Sequence, residues 1–128
     1  MHELTIALGL LDEIAQEAQR QGARKVTAVH LRVGALSGVV PSALEFSWDL
    51  AAEGTIAQGS RLNIERIPLA VQCGSCAAQT EPAPGTGMRC LRCESEGTTI
   101  VRGRELELVG MEVVDEDAAD RDPAQHTA

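Results

Sequence analysis

Two CxxC pairs are the most chemically suggestive feature of this 128-residue sequence. Cys73 and Cys76 form the first pair, and Cys90 and Cys93 form the second, with residues 77–89 between them. Two pairs at this separation are typical of a tetrahedral site in which four thiolates bind one zinc ion. Such a site has no open coordination position, so we interpret it as structural rather than catalytic.

Two other interpretations of the cysteines stay open at this point. A rubredoxin-like iron centre uses the same four thiolates, but Ala77 and Glu94 stand where a glycine would follow each pair, and the module has no aromatic shell. A pair of disulfides requires an oxidising compartment, which the sequence does not indicate. Zinc is therefore the favoured ion, and we expect it to hold together a module with little apolar core.

The amino terminus offers a second constellation, because His2 directly follows Met1. A free α-amine has a pKa of about 7.7–8.0 and gives its proton up readily to a metal. The terminal amine, the His2 amide nitrogen and the imidazole can chelate one ion, and a deprotonated Glu3 amide or another donor would complete a planar set suited to Ni(II) or Cu(II). From the residues alone, a solvated terminal histidine is the alternative interpretation.

Two helices and three strands are predicted to carry these residues. Helical periodicity spans residues 2–21, with Gly22 as a left-handed cap, and Pro41 begins a second helix that ends before Gly54. Alternating segments at residues 26–33, 60–67 and 105–114 predict strands. The buried positions expected in the helices are Leu4, Ala7, Leu8, Leu11, Ile14, Ala15 and Ala18, then Leu44 and Trp48, with Phe46 as a further candidate.

This order of elements predicts an α+β fold, with two helices packed on a small three-stranded sheet and an inserted zinc-ribbon-like domain that carries the four cysteines. We expect residues 1–67 and 105–114 to form an α/β domain and residues 68–104 a zinc-binding domain. Residues 115–128 are predicted to be a disordered acidic tail, which includes His126. His30, on the first predicted strand, is expected to be a sheet-surface residue rather than a metal ligand.

Composition excludes several classes of function. A net charge of −8 and an aromatic content of 2% argue against nucleic-acid binding, which needs a basic footprint and stacking platforms. The apolar stretch at residues 4–11 is cut short by Asp12 and Glu13, so we predict no signal peptide, no membrane span and a cytoplasmic location. No nucleophile–base motif or phosphate-binding glycine loop is present, so we do not expect an enzyme.

Several segments, taken in one order, resemble a known family. These are the opening MHEL, the stretches HLRVGALSGVVP and EGTIAQGSRLNIERIP, the double CxxC and the closing GRELELVGMEVV. From Met1 to about Val114 the chain resembles the HypA/HybF family of hydrogenase-maturation nickel chaperones. The resemblance implies that nickel binds at the amino terminus through His2, with Glu3 and the Met1 amine adjacent. It also implies a structural zinc ion on Cys73, Cys76, Cys90 and Cys93.

The partners implied by the resemblance are a HypB-type GTPase and the large subunit of [NiFe] hydrogenases, with urease as a further recipient in some organisms. The first hypothesis is therefore a nickel metallochaperone, a carrier rather than an enzyme. The alternative is a zinc-ribbon interaction or regulatory module without a nickel function, in which the terminus has no role. The sequence leaves open whether the protein is a monomer or a homodimer, and which group is the fourth nickel donor.

Overall fold

A computed structural model describes residues 2–83 and 85–115. The elements in chain order are α1 (Glu3–Arg20), β1 (Ala23–Gly34), α2 (Pro41–Ala52), β2 (Arg61–Ile67), β3 (Ala70–Cys73), β4 (Gln79–Thr80), β5 (Thr98–Arg102) and β6 (Leu106–Asp115). They form two three-stranded sheets, ordered β2-β1-β6 and β4-β3-β5. The predicted α+β class, both helices and the first sheet are confirmed. The predicted acidic tail lies outside the described residues, apart from Asp115 at the end of β6.

The chain divides into two compact units. The first comprises the described residues 2–31, 39–64 and 108–115, and the second comprises residues 32–38 and 65–107 apart from Pro84. The four cysteines belong to the second unit, whereas His2, Glu3 and both helices belong to the first. No helix in the described part of the chain is long and apolar enough to cross a membrane.

Helix α1 begins after His2, whose backbone is extended, and is followed by Gly22 with φ 68°, as predicted for a left-handed cap. The predicted buried stripe was partly wrong, because Leu4, Leu8 and Ala15 are exposed. Apolar residues cover a broad arc of this helix, so spacing alone does not show which edge of the arc faces the core. The residues that the helix buries are Ala7, Leu10, Leu11, Ile14 and Ala18.

Helix α2 has Pro41 at its first helical position, as predicted, and packs against α1. It buries Leu44, Trp48 and Ala52. Phe46, the further candidate for burial, is instead 70% exposed. The buried residues are spaced one turn apart, and a residue two positions away lies about 200° around the helix, on the opposite side. The buried Trp48 Nε1 donates a hydrogen bond of 2.9 Å to Ser60 Oγ, so the indole N–H has a partner in the core.

Strand β1 is the central strand of the first sheet and shows the predicted alternation. Val29, Leu31 and Val33 are buried, whereas His30 is only partly buried. The His30 Nε2 lies 2.9 Å from Glu112 Oε2 on β6, and its Nδ1 lies 3.3 Å from Asn63 Nδ2 on β2. His30 is thus a sheet-surface residue that bridges its two neighbouring strands, as expected from the sequence.

A close backbone approach within the second unit joins Gly34 to the segment before β6. The Gly34 amide donates to the Glu105 carbonyl at 2.7 Å, and the Leu36 amide donates to the Gly103 carbonyl at 2.6 Å. A Cβ atom on Gly34 would lie 2.2 Å from the carbonyl carbon and oxygen of Gly103. Only glycine fits at this position, because the contacting atoms are backbone atoms that cannot turn aside.

We expect Gly34→Ala to lower the free energy of unfolding by about 2–3 kcal/mol, because the added methyl forces the two backbone segments apart. Chemical denaturation of the zinc-loaded protein measures this change. Gly9→Ala is the matched control, since a Cβ at Gly9 on α1 meets no atom within 4 Å. That control should raise the free energy of unfolding by up to about 1 kcal/mol. Equal stability of the two variants would contradict the close approach.

Candidate metal centres

The four cysteine sulfurs lie in one cluster, with all ligand atoms within 4.8 Å of one another. Cys73 Sγ is 3.5 Å from Cys93 Sγ, and Cys76 Sγ is 3.7 Å from Cys90 Sγ. Tetrahedral zinc with Zn–S bonds of about 2.3 Å places its sulfurs about 3.8 Å apart. The cluster therefore fits a four-thiolate zinc site.

The second sheet positions the first CxxC pair. Strand β3 ends at Cys73 and pairs antiparallel with both β4 and β5. These three short strands were missed by the sequence analysis, although the apolar and β-branched runs AVQC and TTIVR are weak strand signals. Cys73 and Cys90 are buried, at 2% and 1% exposure, whereas Cys76 and Cys93 are exposed.

Both CxxC pairs form the same backbone turn. In the first, the Ala77 amide donates to the Cys73 carbonyl at 3.1 Å, and in the second the Glu94 amide donates to the Cys90 carbonyl at 2.9 Å. Ala77 and Glu94 both have a φ of 64°, a left-handed conformation that favours glycine. The lack of glycine after each pair therefore does not change the local backbone, and it does not separate zinc from iron as the sequence argument assumed.

Backbone amides in these turns point at the first sulfur of each pair. The amides of Cys76 and Ser75 donate to Cys73 Sγ at 3.4 and 3.3 Å, and these bonds lower the pKa of Cys73 to about 6. Amide donors from Cys93 and Arg92 likewise lower the pKa of Cys90. Hydrogen bonds to a thiolate favour the charged form, which is the form that binds metal. Each turn therefore favours the thiolate at the first cysteine of its pair.

Cys93 shows the opposite shift. Its bond from the Ser95 amide favours the thiolate, but hydrogen bonds with the neighbouring sulfurs, Cys73 first, and partial desolvation of its sulfur within the cluster together raise the pKa of Cys93 to about 12. Four thiolates in one small volume repel one another, so the last does not ionise near neutral pH without a cation among them. A divalent ion removes this conflict, and its binding releases protons.

The amino-terminal constellation is only partly described, since Met1 lies outside the described residues. His2 is exposed and occupies the N-cap of α1, directly before Glu3. The Glu3 Oε2 accepts a hydrogen bond of 3.1 Å from the Val40 amide. This bond is the main reason that the pKa of Glu3 is lowered. Its stabilising effect is present above the unfolded-state pKa of about 4.3 and is lost as the pH falls through the lowered value.

Val40 is the residue near this terminus that sequence reasoning missed. A signal was available, because valine is a poor N-cap and Val40 stands immediately before the Pro41 that begins α2. A helix that starts without Ser, Thr, Asp or Asn at its N-cap leaves its first amides to water or to an acceptor from elsewhere in the chain. The sequence does not show which residue provides that acceptor.

Comparison with known proteins identifies the family. A family model described as "Hydrogenase/urease nickel incorporation, metallochaperone, hypA" matches residues 1–113. The chain belongs to the HypA family. Proteins named "Hydrogenase maturation factor HypA" are 46% identical in Chloroflexus aurantiacus, over 88% of this chain and 98% of the relative, and 42% identical in a Roseiflexus species, over 91% and 94%.

Two solved structures share the fold. The solution structure of the Ni metallochaperone HypA from Helicobacter pylori has a TM-score of 0.63 at 22% identity, covering 91% of this chain and 100% of that chain. A second HypA solution structure has a TM-score of 0.67 at 24% identity, covering 91% and 98%. At these identities the likeness supports the fold alone. The predicted resemblance is thus confirmed by the family match and the sequence relatives.

Membership of the HypA family makes the protein a metallochaperone and maturation factor rather than an enzyme, as expected from the sequence. The family handles nickel and carries structural zinc, and the four-cysteine cluster fits that zinc. The choice of zinc over iron therefore comes from the family and from the sulfur geometry together.

Ala77→Gly and Glu94→Gly should each stabilise the zinc-bound form by about 1 kcal/mol, because glycine adopts a positive φ without strain. Since folding of a small metal lobe is coupled to metal binding, we expect zinc affinity to rise about fivefold per substitution in competition with a chelator. Ala78→Gly is the control, because residue 78 does not have a positive φ, and it should weaken zinc binding. Weaker binding in all three variants would argue against strain in these turns.

Proposed function

We propose that this chain binds Ni(II) at its amino terminus and delivers it during maturation of [NiFe] hydrogenase, with urease as a further recipient class. The observation that carries the proposal is the family match from residue 1, which includes the start Met1-His2-Glu3 within the matched region. The exposure of His2 at the N-cap of α1 supports it, because an imidazole there is accessible to both metal and partner.

The proposed nickel ligands are the Met1 amine, the amide nitrogen and imidazole of His2, and Glu3. The first amides of a helix have no acceptor in the preceding turn. The Glu3 amide, at the first helical position, can therefore lose its proton to a metal without breaking a backbone hydrogen bond of α1, although it gives up the bond that it donates to its own carboxylate. The first such bond of the helix runs from the Ile6 amide to the His2 carbonyl, which uses no proposed donor atom.

Zinc and nickel have separate roles in this proposal. Cys73, Cys76, Cys90 and Cys93 hold a structural zinc ion within a zinc-binding domain at residues 68–104. The α/β domain, residues 1–67 and 105–114, carries the nickel. A HypB-type GTPase and the hydrogenase large subunit are the proposed partners in the cytoplasm, and the chaperone acts as a monomer or homodimer.

His2→Ala should remove one-to-one nickel binding while zinc content and folding stay unchanged, because the chelate loses its imidazole. Calorimetric titration of tag-free protein with nickel measures the change. His30→Ala is the matched control, since the His30 ring already contacts Glu112 and Asn63, and it should bind nickel as the wild type does.

A chain with one extra residue before Met1 provides a second arm, because the new residue displaces the amine from its place beside His2. This chain should also lose nickel binding. If both the extended chain and the His2→Ala variant bind nickel like the wild type, the terminal site is wrong. The zinc-ribbon interaction module would then be the better interpretation.

Nickel transfer should be faster in acid. A donor on the acceptor displaces one nitrogen, the freed amine or amide takes up a proton, and the ion moves. Since the free amine has a pKa of about 7.7–8.0, transfer to a competing chelator should be faster near pH 6 than near pH 8. Stopped-flow absorbance of the nickel complex measures the rate, and a rate independent of pH would contradict this stepwise route.

A further inference from the structure

The side chain of Glu3 has a partner that the proposed nickel chelate does not use. Its Oε2 lies 3.1 Å from the Val40 backbone nitrogen, which donates a hydrogen bond to it. Val40 is the N-cap of α2 and makes no side-chain capping bond of its own. Glu3, from the first turn of α1, therefore provides an acceptor at the amino-terminal end of α2.

This contact replaces a capping interaction that α2 cannot make by itself. In a capping box, a Glu or Gln at the third helical position accepts a bond from the N-cap amide. The third helical position of α2 is Ala43, which has no acceptor. The Glu3 carboxylate takes that role from 37 residues away, and its charge also suits the positive end of the α2 dipole.

Within the described residues, the first turn of α1 is mostly exposed. His2, Leu4 and Thr5 are exposed, and Glu3 and Ile6 are only partly buried. The first fully buried residue of the helix is Ala7, at 0% exposure. Chain ends without packing or capping fray, so the Glu3–Val40 bond restrains the segment next to the proposed nickel donors.

We propose that Glu3 is a positioning residue of the nickel site. Its carboxylate stays on the Val40 amide and fixes the first turn of α1, and its contribution to the metal is its backbone nitrogen rather than its carboxylate. This inference rests on the amino-terminal nickel site proposed above. A chelate that is held in place before the ion arrives loses less conformational freedom on binding, while the His2 side chain remains exposed for release.

Three substitutions separate positioning from ligation by the carboxylate. Glu3→Gln keeps the length and an acceptor oxygen but loses the charge, whereas Glu3→Asp keeps a carboxylate that is too short to reach Val40. Glu3→Ala loses both. Positioning predicts nickel affinity within about threefold of wild type for Gln, and about fivefold to tenfold weaker binding for Asp and Ala. If the carboxylate were itself a nickel ligand, Glu3→Asp would instead bind nickel more tightly than Glu3→Gln.

Calorimetry with nickel on the full zinc-loaded chain measures these affinities, with zinc content as the check on folding. Val40→Ala is the matched control, because it keeps the amide, and it should bind nickel like the wild type. The absorption spectrum of bound nickel should be the same in wild type and Glu3→Gln, since the donor set is unchanged. Binding by Glu3→Asp that equals the wild type, or a changed spectrum in Glu3→Gln, would overturn the inference.

A readout without nickel keeps this test separate from the proposed function. Hydrogen exchange of the Val40 amide, followed by NMR, should be faster in the Ala and Asp variants than in wild type and in Glu3→Gln. Unchanged exchange in Glu3→Ala would overturn the positioning role whatever the nickel data show. Nickel binding by the His2→Ala variant would instead overturn the proposed site while leaving the Glu3–Val40 bond intact.

Discussion

The constraint on which the second unit depends is that four sulfur atoms share one small volume. Besides two of the cysteines, Ala70 and Val71 are the only buried hydrophobic residues in the described part of residues 68–104. Two such small side chains give little hydrophobic stabilisation, since a fully buried valine contributes about 1.5–3 kcal/mol. We therefore expect the sheet of β3, β4 and β5 and the two cysteine turns to be held in place chiefly by the zinc ion that the cluster fits. The strained φ at Ala77 and Glu94 is tolerated for the same reason.

The cysteine cluster is suited to retaining its ion, whereas the proposed nickel site is suited to releasing it. The cluster uses four side-chain ligands, of which Cys73 and Cys90 are buried and receive amide hydrogen bonds. Such a site retains its ion because all four ligands would have to detach, and two of them lie in a buried position. The proposed amino-terminal site includes the exposed His2, and some of its donors would regain protons when the ion leaves. Retention suits a structural ion, and exchange suits a metal that is to be delivered.

Local signals in the sequence were sufficient for the helices and the first sheet. Gly22 and Pro41 mark helix ends through backbone preferences that no tertiary contact has to supply, and alternation marked the buried face of β1 correctly at Val29 and Leu31. The orientation of α1 was only partly predictable, because its apolar arc is wide and the partner helix decides which edge is covered. Phe46 is apolar but lies opposite Leu44 and Trp48, so composition suggested a burial that geometry forbids.

The two candidate sites also differ in how much of their structure local sequence signals predict. The cysteine ligands follow from spacing alone, because each pair is one turn and the two turns repeat the same backbone bonds. The contact between Glu3 and Val40 does not follow from spacing, since it joins the start of α1 to the start of α2 across 37 residues. What the sequence does show is that α2 begins at Val40-Pro41 with neither a capping side chain nor an acceptor at Ala43. An uncapped helix start and a carboxylate in the first turn of another helix are each common. The contact between them matters here because the carboxylate belongs to Glu3, the residue beside His2. The stability of the start of α2 and the order of the proposed nickel donors therefore depend on the same hydrogen bond.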